Sequence, residues 1–243
     1  MNKNHGLTLI APRVTPMLDP AFRPAVLANR AFRDQARASK NAVPVEFALE
    51  QADGSVFRFK TEVLPDPHAA GNFTYIERMM KFLLWSRGGF RIHFNGPKSL
   101  ADALQKHYRE TPTGKFDSEI VGARIYDKPI EVVMTRELPP ERSNTAPLGR
   151  HLEGCRIGFD LGGSDRKVAA VIDGKVVFSE ETVWDPVKQS DAQYHYDGIM
   201  HSLKMAAKHL PRVDAIGGSS AGVYVNNRVK VASLFRGIAP DDF

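Results

Sequence analysis

The chain has 243 residues and a mass of 27.0 kDa, enough to bury a sizeable core as one large domain or two small ones. With 42% hydrophobic and 25% charged residues and no apolar run of bilayer-spanning length, the composition excludes a membrane span and general disorder. The lone cysteine, Cys155, excludes an intramolecular disulfide and a Cys-rich zinc site; with a start (Met-Asn-Lys-Asn-His-Gly) that lacks the apolar core of a signal peptide, the expected location is the cytoplasm.

The net charge of +5 is unevenly spread, since residues 1–150 carry 22 Lys+Arg against 16 Asp+Glu and residues 151–243 carry 11 against 12. Residues 1–40 hold seven basic residues (Lys3, Arg13, Arg23, Arg30, Arg33, Arg37, Lys40) against Asp19 and Asp34. A basic excess confined to one arm is no duplex-binding footprint, so nucleic acid is not expected as a partner.

Residues 1–20, with Pro12, Pro16 and Pro20, read as an extended arm. Residues 21–40 can form a helix on which Arg23, Arg30, Arg33 and Arg37 fall near one stripe, either a solvated face or a surface for an anion, a partner or nucleic acid. Alternation at Val45, Phe47 and Leu49 and at Val56 to Val63, around Asp53-Gly54, predicts a hairpin ended by Pro65 and Pro67. Helical spacing follows from Phe73 to Leu84, then a strand over 90–94, a helix from about Ser99, and strand-like stretches at Ile120–Tyr126 and Ile130–Met134. Leu138 to Gly149, with three prolines, reads as a linker. The expected domains are therefore 1–150, an α/β module without a nameable catalytic motif, and 151–243.

In the second domain a strand from Cys155 ends in Asp160-Leu161-Gly162-Gly163-Ser164. Val168–Ile172 and Val176–Thr182, joined by Asp173-Gly174, complete an antiparallel meander. Ser190 and Gln193 suggest a capping box for a helix stopped by Pro211. A fourth strand at Val213–Ile216 runs into the loop Gly217-Gly218-Ser219-Ser220-Ala221-Gly222, and two short strands surround Asn226-Asn227. Backbone N–H groups at Gly162, Gly163 and Ser164 can approach phosphate oxygens closely, with the Ser164 hydroxyl and Lys167 as further donors. Asp160 can hold Mg²⁺ through water.

This order of elements resembles the sugar kinase, heat-shock chaperone and actin superfamily, and implies a ribonuclease H-like, actin-type ATPase lobe after an added α/β module. More narrowly, Ile157-Gly-Phe-Asp-Leu-Gly-Gly-Ser164, Ile216-Gly-Gly-Ser-Ser-Ala-Gly222 and Val229–Ile238 resemble motifs of the ROK family of repressors and sugar kinases. The resemblance implies ATP and Mg²⁺ at Asp160, Gly162, Gly163 and Ser164, and a sugar substrate at Gly217, Gly218, Ser219, Ser220, Ala221, Gly222 and Ser233. Two departures are Asp165-Arg166-Lys167 in place of a Lys directly after the hydroxyl residue, and Ser233 where many members have Asn.

The family's general-base Asp has no counterpart before the tail Asp241-Asp242-Phe243. The expectation is thus an N-terminal part of a longer carbohydrate kinase, inactive alone, or else a non-catalytic sugar- or nucleotide-binding regulator of the same family. A second copy of the chain is a candidate partner for the arginine stripe. His201 and His209, eight residues apart, are too distant along a helix to share a metal. Tyr194-His195-Tyr196-Asp197 and Cys155 read as packing, and Trp85 and Trp184 as core or interface.

Overall fold

The computed structural model describes residues 6–66, 69–144, 149 and 151–239. Lys3, Pro67, residues 145–148 of the expected linker Leu138 to Gly149, and the tail Asp241-Asp242-Phe243 lie outside the described residues. The chain divides into two units, Met1–Thr145 and Ala146–Phe243.

The first unit is a four-stranded mixed sheet covered by helices. Helix α1 (Ala25–Ala38) starts after Pro24, whose fixed φ suits a helix entrance, and buries Ala28, Phe32 and Ala36 at i, i+4 and i+8. Strands β1 (Val43–Glu50) and β2 (Val56–Val63) form the expected hairpin, with Gly54 at φ 79° in its turn. Helix α2 (Ala70–Arg87) leads to β3 (Arg91–Asn95), which pairs antiparallel with β1; helices α3 (Lys98–Glu110) and α4 (Pro112–Asp117) lead to β4 (Glu131–Met134), parallel to β3. The sheet order is β2-β1-β3-β4. Its core holds the fully buried Phe47, Leu49, Tyr75, Ile76, Met80, Ile92, Phe94 and Leu104. Residues 118–125, expected as a strand over most of their length, instead form a π-helical turn that continues α4. Alternating apolar residues could not reveal this, because only Val121 and Gly122 of that stretch are buried, and short apolar runs fit either period.

The second unit carries strands β5 (Cys155–Leu161), β6 (Asp165–Ile172) and β7 (Lys175–Val183), then helix α5 (Ala192–Ala207) and strand β8 (Ala215–Ser220). Asp173 and Gly174 both have positive φ (48° and 78°), as a tight turn between right-twisted strands requires. The order is β7-β6-β5-β8, with β8 parallel to β5 and the first three strands antiparallel. A meander followed by a helical crossover to the far side of the first strand is the ribonuclease H-like topology of the actin-type ATPase lobe. Ile157, Val168 and Ala170 pack with Ala206 of α5, while Leu161, Trp184 and Leu234 form a second small core. A hairpin of β9 (Val223–Val225) and β10 (Arg228–Val231) turns at Asn226 and Asn227, both at positive φ.

Two expectations are corrected in this unit. The cap of α5 is Asp191, whose side chain accepts from the Gln193 N–H at 2.9 Å, and not Ser190. The fourth strand runs through Gly217, Gly218, Ser219 and Ser220 rather than stopping at Ile216, because parallel pairing with β5 satisfies the backbone of those residues whatever their low strand propensity.

Candidate functional site

In the second unit the chain winds outward from β5 to β7 and then returns to β8 on the opposite side of β5. The β5/β8 boundary is therefore where strand order reverses, and a crevice at the carboxyl ends of such strands is the usual ligand position in open α/β sheets. The register places Ser219, Asp160, Lys167 and Glu181 in one row across all four strands. Asp160 Oδ1 accepts a hydrogen bond from the Ser219 hydroxyl, and both residues are exposed. Gly158, Asp160, Lys167, Ser179 and Glu181 line a shallow open groove of about 480 Å³.

Gly218 shows why this stretch needs glycine: a Cβ there would lie 2.4 Å from the Phe159 carbonyl oxygen of the neighbouring strand. Such contact is too close for any side chain, so the glycine is set by strand approach before any question of ligand. Gly222, at φ 141°, closes the loop, and a Cβ on it would meet the Val231 carbonyl oxygen at 2.6 Å. Ala221 and Gly222 are exposed just beyond the end of β8.

The glycine turn after β5 is held from below. Trp184 Nε1 donates to the Gly162 carbonyl at 2.8 Å, and the Trp184 backbone N–H donates to the Ser164 carbonyl at 3.1 Å. The buried Arg166 lies over the Trp184 ring at 5.5 Å and donates to the Ser202 hydroxyl of α5 at 2.9 Å. Gly163 and Ser164 are exposed, but the Gly162 N–H is engaged within the turn, donating to the Asp165 carbonyl at 2.9 Å.

Asp165 also holds the two expected side-chain donors. Its carboxylate accepts from the Ser164 hydroxyl at 3.0 Å and from the Lys167 ammonium. The Lys167 contact first, then Ser164, holds the Asp165 carboxyl below its ordinary range, while Asp165 holds the Lys167 ammonium above its own. Lys167 Nζ is also 3.9 Å from Glu181. One ammonium among Asp160, Asp165 and Glu181 makes the row acidic, so it is better suited to a cation, or to an anion that brings one, than to bare phosphate. An exposed carboxylate with room for water fits Mg²⁺, which keeps most of its hydration shell.

Ser233 is exposed at the start of a 3₁₀ turn, Ser233–Phe235, outside the charged row. His195, expected to serve packing, is buried with Nε2 at 3.0 Å from the Pro186 carbonyl and 3.1 Å from that of Leu234. Cys155 is buried, and its N–H donates to Asp214 Oδ2 at 2.8 Å. Trp184 is buried; Trp85 is 47% exposed and stacks on Phe116. Reasoning from motifs missed Asp165 as the group that engages the turn's donors, although its place directly after Ser164 was the available signal. It also missed the cluster Glu77, His107 and Asp117 in the first unit, whose members are far apart in sequence.

No family model and no curated protein matches the chain. Solved structures similar to it include two phosphatases. An exopolyphosphatase from Cytophaga hutchinsonii shows 10% identity over 75% of this chain and 64% of that one, with a TM-score of 0.22. The type II variant of the Ppx/GppA phosphatase from Aquifex aeolicus shows 14% identity over 72% and 63%, with a TM-score of 0.20. The chain thus spans under two thirds of either length. Neither neighbour is a ROK sugar kinase, and this corrects the ROK assignment together with the carbohydrate kinase, its regulator alternative and the carbohydrate-metabolism reading that rested on it. The short glycine motifs misled because strand approach at Gly218 and the turn at Gly222 demand glycine for backbone reasons alone. What stands is the fold: a mixed α/β, actin-type lobe preceded by a separate α/β unit. Among the described residues no helix is long and apolar enough to cross a membrane.

Proposed function

We propose that the second unit binds a phosphate-anhydride ligand together with Mg²⁺ at the carboxyl ends of β5 and β8. The observation that carries this reading is the register that sets Asp160 opposite Ser219 at the strand-order reversal, with the Gly162-Gly163-Ser164 turn directly beyond β5 and Ala221-Gly222 directly beyond β8. Asp160 and Ser219 hold the hydrated cation, Gly163 and Ser164 offer backbone N–H groups to phosphate oxygens, and Lys167 adds positive charge once it leaves Asp165. Gly217 and Gly218 precede Ser219 in the same strand, and Ser220, Ala221 and Gly222 border the ligand on the β8 side.

The ligand's shared chemistry is a chain of phosphoanhydrides, which a nucleoside triphosphate and an inorganic polyphosphate both carry. Calorimetric titration with ATP and with tripolyphosphate, each with and without Mg²⁺, separates the two sources. The expected result is Mg²⁺-dependent binding of at least one of them that weakens about tenfold or more in Asp160→Asn, the loss of one charged contact being worth roughly 1.5 kcal/mol. Absence of binding by both ligands, or binding indifferent to Asp160→Asn, would overturn the reading.

A further inference from the structure

In the first unit, α2, α3 and α4 bring Glu77, His107 and Asp117 together, one ligand atom from each lying within 4.8 Å of the others. His107 and Asp117 are buried and the Glu77 side chain is 13% exposed. His107 Nε2 is buried, has no hydrogen-bond partner among the described residues, and lies 3.5 Å from Glu77 Oε1.

The other ring nitrogen explains this. Thr111 Oγ1 donates its only hydrogen to the His107 carbonyl at 3.0 Å and accepts from the Gly114 N–H at 3.1 Å. With the hydroxyl hydrogen on that carbonyl, the 3.0 Å contact between Thr111 Oγ1 and His107 Nδ1 is made by a hydrogen on Nδ1. In the neutral ring Nε2 then carries a bare lone pair facing a carboxylate oxygen, an arrangement that calls for a cation between them.

We propose that Glu77, His107 and Asp117 form a binding site for a divalent transition metal of the Zn²⁺ type. An imidazole with two carboxylates suits Zn²⁺ better than Mg²⁺, which prefers oxygen donors alone. With metal–ligand bonds of about 2.0–2.2 Å, neighbouring ligands of a tetrahedral ion stand about 3.4 Å apart, close to the 3.5 Å between Nε2 and Oε1. Asp117 now accepts from Lys81 Nζ at 2.9 and 3.0 Å and from Trp85 Nε1 at 2.9 Å. The Lys81 side chain is 35% exposed and can swing to solvent as the metal takes its place, whereas Trp85 keeps Asp117 oriented. Tyr108, whose buried hydroxyl also lacks a hydrogen-bond partner among the described residues, is next to His107 in sequence.

The test is titration of the metal-stripped full chain with Zn²⁺ and with Co²⁺, read by calorimetry and by the visible absorption of four-coordinate Co²⁺. We expect one ion per chain, a higher thermal midpoint, and affinity at least 100-fold weaker in His107→Gln and clearly weaker in Glu77→Gln. Excess Mg²⁺ should not compete. Should His107→Gln fail to fold, the ¹⁵N shifts of the wild-type imidazole decide, since metallation moves Nε2 and leaves Nδ1 protonated. No uptake, or uptake that leaves the His107 shifts unchanged, overturns the site.

Discussion

Asp160 and Ser219 stand opposite one another on two parallel strands, joined by a hydrogen bond from the serine hydroxyl to the carboxylate. They are 59 positions apart in sequence, so only the crossover through α5 unites them. Ser219 orients the carboxylate that would hold Mg²⁺. Ser219→Ala should therefore weaken Mg²⁺-dependent anhydride binding about threefold, the value of one ordinary hydrogen bond. Calorimetry at fixed Mg²⁺ checks this, and an unchanged affinity would remove Ser219 from the site.

Asp165 holds Ser164 and Lys167 and would compete with the proposed ligand for them. Asp165→Asn should tighten anhydride binding several-fold at neutral pH. Because Lys167 and then Ser164 hold the Asp165 carboxyl below its ordinary range, wild type keeps the charge until the pH falls through that lowered value. The difference between the two proteins should persist at mildly acidic pH and shrink only in stronger acid. Weaker binding by the variant would mean that Asp165 belongs to the site as a ligand.

Asp214 fastens the start of β8 to β5: its carboxylate accepts from the Cys155 N–H, and its own N–H donates to the Cys155 carbonyl at 2.8 Å. Arg212 first, then the Cys155 N–H, holds its carboxyl below the ordinary range. A lowered value means that the stabilisation is present above the unfolded-state pKa and is lost as pH falls through the folded one. Asp214→Asn should thus raise hydrogen exchange at the Cys155 amide at neutral pH, and this excess should fade in strong acid. A pH-independent excess would assign the effect to packing.

Gly218→Ala should destabilise the second unit by about 1–3 kcal/mol, the usual cost of overpacking, because its Cβ would meet a backbone oxygen that cannot rotate away. Urea denaturation followed at Trp184 checks the size. A neutral result would show that β8 can move off β5 at little cost.

The arginine stripe should not serve DNA. Arg23 donates to the carbonyls of Pro20 and Phe22, and Arg37 pairs with Glu62 at 3.3 Å. Arg30→Ala with Arg33→Ala should leave DNA affinity at the non-specific level of the wild type, with the salt dependence measured for both. Tight wild-type binding that collapses in the double variant would reverse this conclusion.

Local signals in the sequence determined most elements. Alternation at Val45–Leu49 and Ile157–Leu161 marked strands, Asp173-Gly174 and Asn226-Asn227 marked turns whose positive φ those residues tolerate, and helical spacing at Ile76, Met80 and Leu83 marked α2. These signals are short-range, so they survive without knowledge of the fold. The helical turn over 118–125 was not legible, because its conformation follows from continuing α4 rather than from its own residues. Nor was the extension of β8 through Gly217–Ser220, which depends on a parallel partner 59 positions away. Tertiary structure alone decided which charges meet: the row Ser219, Asp160, Lys167 and Glu181 comes from strand register, and the cluster Glu77, His107 and Asp117 from the packing of three helices. Composition and spacing name the groups, but electrostatic and ligand chemistry depends on distances of a few ångströms, and those are set only when the strands and helices have closed on their cores.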